Sequence, residues 1–386
     1  MEYSPTRAAG LAVLDGFIDR AGRDYAATRN YDHGPGDRTN VSMLSRYVRY
    51  RLVTEQEAVA AVRARHPGES AAKFIDEMLW RTYWKGWLQL RPSVWTDYLS
   101  DLAALEAQSG GWRRDYDRAL AGGTGIDCFD AWIGELTEHG YLHNHARMWF
   151  ASIWIFTLRL PWQLGAALFH DHLYDGDPAS NTLSWRWVAG LQTAGKTYLA
   201  TADNITRYTD GRFAPAGLAT RTTAVAGKVP PLPLPLEAAD PVPGGRVGLL
   251  LAEDDLAPES LMLGKAQVAV IASIGGAHGR APDVEAFVGE ALGDARRRAA
   301  TKFSVDAAAL ADPGAVGDWA DAHGLDHVVV GYAPVGPGAT AIAAMVSDLG
   351  TRGIRTTRVR RGWDDSLWPT ARRGFFAFRK DCASLV

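Results

Sequence analysis

Cysteine is nearly absent from this chain. Its 386 residues include only two cysteines, Cys128 and Cys382. Two thiols are too few for a disulfide framework, and also for an iron–sulfur cluster, which needs about four thiolate ligands. This composition fits a reducing, cytoplasmic setting.

Long apolar runs are also missing. No window reaches the roughly 18 uninterrupted apolar residues typical of a membrane-spanning helix. The first twenty residues have no basic segment followed by an apolar run, so the sequence predicts no signal peptide and no membrane partner. The histidine clusters lack the ordered spacing of a zinc site, and we therefore expect no metal.

Neither sign of charge dominates. The formal net charge is −3, and residues 1–213 hold 23 basic and 25 acidic side chains, a net of −2. Because the chain is not a polycation, any binding to nucleic acid must use a local patch. The length predicts two domains, and a monomer is the expected state.

Tryptophan is the residue in excess, with 14 in the chain. Five of them fall within residues 141–187. Such a surplus fits a core built around a ring system or a stacking site, and it also fits ordinary packing. Within this stretch, Asn144, Arg147 and Met148 fall at i, i+3 and i+4 and share one helical face. Pro161 predicts a break or a new helix start.

An acidic turn, Asp175-Gly176-Asp177-Pro178, closes the same stretch. Asn181 and Trp185 follow at four-residue spacing from Asp177 and therefore share one face of the next predicted helix. Each of these patterns alone is more typical of packed core or of an ordinary turn.

Two earlier segments also carry groups suited to ligand binding. Glu77, Trp80, Arg81 and Trp84 share a helical face that suits an aromatic, hydrogen-bonding ligand, although a solvated Glu–Arg pair is the alternative. The hydroxyl groups within residues 41–45 can bind an anion such as a diphosphate, or they can simply cap a helix.

Taken in order, these segments resemble the flavin-binding domain of the DNA photolyase and cryptochrome family. The family pattern H-N-x-x-R-M, then W, then D-G-D-x-x-x-N-x-x-x-W matches residues 143–148, Trp162 and residues 175–185. The pattern E-L-x-W-R-E-F is similar to residues 77–83. The family's Y-x-x-x-R and T-S-R-L-S-P-Y are similar to residues 25–29 and 41–47.

The chain departs from the family at several of these positions. Val41, Met43 and Arg46 replace threonine, arginine and proline, and residues near Asn204 lack the usual N-P-x-x-Q. The last change puts the substrate in doubt.

The resemblance implies a bound FAD and a set of functional residues. The implied cofactor-binding residues are Tyr25, Arg29, Val41, Ser42, Met43, Leu44, Ser45, Arg81, Asn144, Arg147, Asp175, Gly176, Asp177 and Asn181. The implied lesion contacts are Glu77, Trp80, Asn144 and Met148. The implied catalytic residues are Glu77, Asn181 and the electron-transfer tryptophans Trp185, Trp162 and, as the outer member, Trp112.

The last third of the chain has a different pattern. Short apolar runs at 247–252, 268–272, 328–332 and 354–359 alternate with predicted helices at 283–300 and 338–350, which is typical of a parallel α/β sheet. This part resembles the family's antenna domain, which comes first in the family and last here, as in a circular permutation. We therefore predict an all-α FAD-binding domain of photolyase type (1–223), a proline-rich linker (224–244) and a Rossmann-like α/β domain (245–386). The sequence does not say whether the α/β domain holds a second chromophore.

These resemblances imply an FAD-dependent lyase that uses blue light to repair cyclobutane pyrimidine dimers in UV-damaged DNA. A cryptochrome-like photoreceptor without repair activity is the alternative, and a flavoprotein without photochemistry, or a binding module, is a third. The family's 6–4 branch usually has histidine where this chain has Asn144, which favours cyclobutane dimers. His143 and His145 leave both lesions open.

Overall fold

The first half of the chain is helical. The structure, a computed structural model, describes residues 3–108, 110–241, 244–275, 279–383 and 385. Within these residues the helical part comprises α1 (Arg7–Ile18), α2 (Arg23–Thr28), α3 (Ser45–Arg49), α4 (Glu55–Arg65), α5 (Ala72–Gln89), α6 (Ser93–Glu106), α7 (Arg113–Leu120), α8 (Asp127–His139), α9 (Asn144–Ser152), α10 (Trp162–His172), α11 (Pro178–Val188) and α12 (Ala202–Tyr208). A π-helical turn, Ile153–Thr157, continues α9.

Local chemistry fixes several helix starts. The Thr54 hydroxyl accepts the Glu57 backbone N–H, and the Glu57 carboxylate accepts the Thr54 N–H, so a capping box starts α4. Pro161 precedes α10, and Pro178 is the first residue of α11, where a missing N–H leaves no bond unmade. The helix start predicted at Pro161 is confirmed.

The last third of the chain forms a five-stranded sheet in the order β3-β2-β1-β4-β5, and the described strand pairs are parallel. The strands are β1 (Gly245–Leu251), β2 (Ala266–Ile274), β3 (Ala307–Leu310), β4 (His327–Gly331) and β5 (Arg355–Val359). The helices are α13 (Pro282–Phe303), α14 (Ala315–Ala322), α15 (Pro337–Thr351), α16 (Gly362–Leu367) and α17 (Phe375–Cys382).

The predicted fold class, an all-α part followed by a parallel α/β part, is confirmed. The four predicted strands and both predicted helices are present, whereas β3 was missed. Its sequence, Ala-Ala-Ala-Leu, has low strand propensity, and it is ordered by pairing with β2 at the sheet edge.

Buried side chains cover both faces of the sheet. One core runs from the helical part through Phe287 of α13 to Val247 and Leu249 of β1. The other face packs Val328 of β4 against Trp319 of α14. Helices on both faces are typical of a parallel sheet.

The segment between the two parts is extended. From Thr209 to Pro241 the chain forms neither helix nor strand. It is attached to both parts, because the Leu234 N–H donates to the Leu90 carbonyl at 2.9 Å and Asp240 pairs with Arg358 at 3.0 Å. The exact domain limits stay a prediction. No helix in the described part of the chain is long and apolar enough to cross a membrane.

Candidate functional site

Three predicted site residues lie together at the start of α9. The ring Nδ1 of His143 accepts the His145 backbone N–H at 3.2 Å and caps the helix. Asn144 follows with an exposed side chain, and Arg147 and Met148 are half-buried one turn later. The shared face predicted from their spacing is confirmed.

The carboxylate of Asp175 joins α9 to the segment before α3. Arg147 Nη2 lies 3.0 Å from Asp175 Oδ1, and the Ser45 hydroxyl is close enough to the same carboxylate to help lower its pKa. Burial opposes the charge of Asp175, but Arg147 and Ser45 outweigh it and hold the pKa of this acid below its ordinary value. Two predicted cofactor-binding segments that are distant in sequence therefore meet at Asp175.

Asp177 connects the acidic turn to α5. Its Oδ1 accepts the Ser180 N–H at 2.7 Å and caps α11, while its Oδ2 lies 3.7 Å from both Arg81 Nη1 and Lys85 Nζ. Burial opposes the charge here too, but Lys85, Arg81 and Arg49 together keep the pKa of Asp177 well below its ordinary value. The turn therefore carries two charged carboxylates at neutral pH.

The predicted phosphate-binding segment precedes a short helix. Val41, Ser42, Met43 and Ser45 are half-buried, whereas Leu44 is fully buried and anchors the segment. Met43 has φ +54°, in the left-handed region that favours glycine. Because α3 has only five residues, its dipole is small, and anion binding would rest on the hydroxyl groups and the neighbouring cations.

Glu77 is a partly exposed residue of α5 that pairs with Arg29. Its Oε1 is 3.7 Å from Arg29 Nε, and 37% of its side chain is exposed. Partial burial nevertheless raises the pKa of Glu77, and the positive charge of Arg29 offsets this rise only in part. Burial, followed by the nearby Glu77 charge, raises the pKa of Tyr25. The Glu77 carboxyl therefore takes up a proton more readily than an exposed glutamate does.

Asn181 lies on α11, one turn after Asp177. Its Nδ2 donates to the Ala166 carbonyl of α10 at 2.6 Å. This bond orients the amide and uses one of its two N–H groups, so the other N–H and Oδ1 can serve a ligand.

Trp185, on α11, packs tightly against α10. A Cβ at Gly165 would lie 2.3 Å from its ring, so the close approach requires glycine. Trp162 is also buried, and its ring contacts Tyr98 with centroids 5.6 Å apart.

Trp185 is in ring contact with a tryptophan that sequence analysis missed. The centroids of Trp185 and Trp154 are 6.2 Å apart in an edge contact. Trp154 contacts Tyr116, and Tyr116 contacts Trp112, each at 5.8 Å. Trp112 is half-buried, so a series of rings leads from Trp185 towards the surface. Trp154 belongs to the tryptophan-rich stretch 141–187, but its position in the sequence does not indicate this contact.

Trp80, predicted to stack on a lesion, is half-buried. Phe375 of α17 covers one of its faces, and Tyr83 and Trp84 also contact it. No local sequence pattern signals this contact, because Phe375 belongs to the opposite end of the chain.

Several buried polar atoms around the acidic turn have no hydrogen-bond partner among the described residues. They are Arg81 Nη1, Lys85 Nζ and Ser180 Oγ. Buried polar atoms are usually satisfied, so this set fits a ligand that carries both donors and acceptors. The cations and hydroxyl groups suit a diphosphate, and the carboxylates and the Asn181 amide suit sugar hydroxyls and ring edges. FAD carries all of these groups, and the residues present fit it.

Comparison with known proteins identifies the helical region. Residues 74–212 match the family model described as the FAD binding domain of DNA photolyase. The deoxyribodipyrimidine photo-lyase of Streptomyces griseus is 34% identical over 189 residues, which are 48% of this chain and 39% of the relative. The deoxyribodipyrimidine photo-lyase of Agrobacterium fabrum is 32% identical over 194 residues, which are 49% of this chain and 39% of the relative. These matches span about two fifths of the relatives' own length.

Two solved structures are also similar. A class III photolyase from Agrobacterium tumefaciens superposes with a TM-score of 0.42 at 26% identity, covering 53% of this chain and 45% of that one. A Synechocystis cryptochrome gives a TM-score of 0.45 at 24% identity, covering 53% and 43%.

The predicted resemblance is therefore confirmed. Residues 74–212 are similar to the FAD binding domain of DNA photolyase, and about half of the chain is similar to curated deoxyribodipyrimidine photo-lyases. The circular permutation stays a prediction.

Proposed function

We propose that this protein binds FAD and uses blue light to repair cyclobutane pyrimidine dimers in UV-damaged DNA. The observation that carries the proposal is the meeting of Ser45, Arg147 and Asp175 at one buried turn, with Asp177 and Arg81 beside it. Most of this cluster falls within the region that matches a photolyase FAD binding domain. The curated relatives named deoxyribodipyrimidine photo-lyase support the same activity.

The residues of the turn would hold the cofactor. Ser42 and Ser45 would bind the diphosphate, and Asp175 and Asp177 would accept hydrogen bonds from sugar or ring groups. Asn181, with its amide oriented by the Ala166 carbonyl, would lie beside the ring. The chemistry that FAD supplies when bound is light-driven transfer of one electron to the dimer and its return after the dimer splits.

The substrate side would be formed by Glu77, Asn144 and Met148. A dimer turned out of the duplex would meet the exposed Asn144 amide at the start of α9. The raised pKa of Glu77 favours a carboxyl group that can donate a hydrogen bond to a pyrimidine carbonyl. The net charge of −3 restricts DNA binding to a local surface around these residues.

A repair assay tests this function. Protein loaded with FAD and photoreduced is mixed with oligonucleotides that carry either a cyclobutane dimer or a 6–4 photoproduct, in light and in darkness. We expect loss of the dimer only in light, and at least about tenfold slower loss with Glu77→Gln, because the amide N–H of glutamine is a weaker hydrogen-bond donor than a protonated carboxyl group. Glu138→Gln is the matched control, since Glu138 is an exposed carboxylate on α8, and it should repair at the wild-type rate.

Each other result has a defined meaning. Turnover of the 6–4 lesion alone would reassign the substrate. A wild-type protein that retains no FAD would contradict the whole proposal.

A photoreceptor without repair activity is the second candidate, and two contacts favour it. Phe375 covers the Trp80 face that the lesion would need. Asn204, in the segment that departs from the family pattern, accepts the Trp149 Nε1–H at 2.9 Å and so serves internal packing. A bound flavin that photoreduces while both lesions persist would favour this candidate.

A further inference from the structure

The carboxyl ends of β1 and β4 mark the position where an open parallel sheet of this kind usually binds a ligand. The strand order reverses between these two strands, since β2 and β3 lie on one side and β4 and β5 on the other. The residues that follow the two strands, 252–256 and 332–336, would line the ligand crevice. In this chain, side chains of the protein itself fill that crevice.

Asp254 occupies the start of α15. A Cβ at Gly338 would lie 2.0 Å from Asp254 Oδ2, so this carboxylate packs directly against the first turn of the helix, where a phosphate would otherwise bind. Pro178, from the acidic turn of the helical part, packs against the other side of the crevice. A Cβ at Gly336 would lie 2.9 Å from its ring.

Arg49 joins this edge of the sheet to the acidic turn. It ends α3 and is only 2% exposed. Its Nη1 donates to Asp254 Oδ1 at 2.8 Å, and its Nε donates to the Gly176 carbonyl at 3.0 Å. The planar fork of an arginine suits two fixed acceptors of this kind, whereas a lysine ammonium cannot reach both in the same way.

The bond to Gly176 lies between the two carboxylates that the proposed cofactor would need. Asp175 precedes Gly176 and is oriented by Arg147, and Asp177 follows it and caps α11. A shift of the Gly176 carbonyl would therefore move both carboxylates. Among the described residues, Arg49 is the side chain that bonds to both this carbonyl and Asp254, and its Nη2 also lies 3.4 Å from Glu253 Oε1.

We propose that Arg49 and Asp254 are positioning residues for the FAD site, and that the α/β part uses its ligand edge to hold the Asp175–Gly176–Asp177 turn. The ligand named here rests on the proposed function. The bond between the two side chains and its effect on the turn do not depend on that function.

Two variants test the proposal. Asp254→Asn keeps the shape of the side chain and removes its charge, and Arg49→Lys keeps the charge and removes the fork. Asp255→Asn is the matched control, because Asp255 is also buried at this interface and pairs with Arg361 and Arg51 without contacting the turn. The two readouts are hydrogen exchange of a peptide that covers residues 174–181 in FAD-free protein, and the dissociation constant for FAD.

We expect exchange of the turn to rise at least fivefold in Asp254→Asn and in Arg49→Lys, and FAD to bind about tenfold more weakly. Asp255→Asn should leave exchange of the turn within twofold of wild type. Unchanged exchange in a folded Asp254→Asn protein would overturn the proposal, and so would an equal rise in the Asp255→Asn control. If Asp254→Asn does not fold, Arg49→Lys decides by the same criterion. If exchange rises while the wild type binds no FAD, the positioning role stands and the proposed function fails.

Discussion

The indole of Trp80 lies flat against the phenyl ring of Phe375, with ring centroids 3.6 Å apart and planes 8° from parallel. Phe375 begins α17, is buried, and also contacts Tyr83 edge-on. The chain therefore places one of its own rings where the proposed function needs a pyrimidine. A dimer stacked on this face of Trp80 would have to displace Phe375.

This competition predicts an effect on DNA binding. Phe375→Leu removes the stacked ring, which contributes about 0.5–1.5 kcal/mol beyond its buried area. Dimer-containing DNA should then bind between about twofold and tenfold more tightly, because less free energy is needed to open the site. Fluorescence anisotropy with damaged and undamaged oligonucleotides measures the difference.

Phe378→Leu provides the control. Phe378 is buried on the same helix and contacts Tyr83, so this variant perturbs the packing of α17 without releasing the stacked face of Trp80. Equal affinities in both variants would show that the lesion does not use this face.

The ring series from Trp185 to Trp112 predicts how bound FAD would be photoreduced. Trp154→Phe and Trp112→Phe should each slow photoreduction at least about tenfold, because phenylalanine is much harder to oxidise than tryptophan. The rate is measured as loss of the oxidised flavin absorption under blue light with an external reductant. Trp319→Phe is the control, since Trp319 is buried in the α/β part and its ring contacts His323.

A Trp162 variant distinguishes the electron path through Trp154 from the path through Trp162 that the family resemblance implies. If Trp162→Phe slows photoreduction and Trp154→Phe does not, electrons pass through Trp162, and the contact series of Trp154 has only a packing role.

Residues that share one helix could be placed from the sequence. The spacing of Asn144, Arg147 and Met148 was sufficient, because a helix repeats every 3.6 residues regardless of what surrounds it. The start at Pro161 was equally local, since proline is tolerated at the beginning of a helix and disrupts later turns.

Contacts between distant segments could not be placed in this way. The bonds from Arg49 to Gly176 and Asp254 depend on how the α/β part docks, and no local pattern encodes docking. The role of Trp154 could not be predicted for a related reason. An aromatic residue that faces the core of a helical domain has the same sequence spacing whether it only packs or also transfers electrons. The positive φ of Met43 and Arg51 was also invisible, because their side chains disfavour that conformation and tertiary contacts impose it.

The buried ring of His143 predicts a pH dependence of stability. His143 is 1% exposed, and burial lowers its pKa to about 3, against an ordinary value of 6.5. Below pH 6.5 the unfolded chain binds a proton at this site that the folded protein does not bind until near pH 3. Unfolding therefore becomes more favourable as the pH falls through this window.

Urea denaturation between pH 7.5 and pH 4 checks this expectation. The stability of wild type relative to His143→Gln should decrease steadily as the pH falls, because only the wild type carries the neutral buried ring. Parallel curves for wild type and His143→Gln would contradict the assignment.

Arg51 combines an unfavourable backbone with a buried ion cluster. It has φ +54° and is 1% exposed. Its Nη2 donates to both oxygens of Asp364 at 2.7 Å, and its guanidinium lies within 3.4 Å of Glu55 and Asp255. The cluster thus joins the helical part to the α/β part.

Arg51→Gly sets these two effects against each other. Glycine relieves a left-handed backbone that costs a side chain about 1–2 kcal/mol. Breaking a buried ion pair by removing one partner costs about 3–5 kcal/mol, because the remaining charges stay desolvated. We therefore expect a net loss of about 1–4 kcal/mol in the free energy of unfolding, measured by urea denaturation with tryptophan fluorescence.

Ser304→Gly isolates the backbone contribution. Ser304 has φ +55° at the end of α13 and an exposed side chain, so glycine there should leave the stability unchanged or raise it by up to about 1 kcal/mol.

The loss of unfolding free energy in Arg51→Gly should also become smaller as the pH falls towards 5. Without the guanidinium, the crowded carboxyls have raised pKa values and lose their charge more readily. A variant as stable as wild type at pH 7 would mean that relief of backbone strain cancels the whole contribution of the cluster.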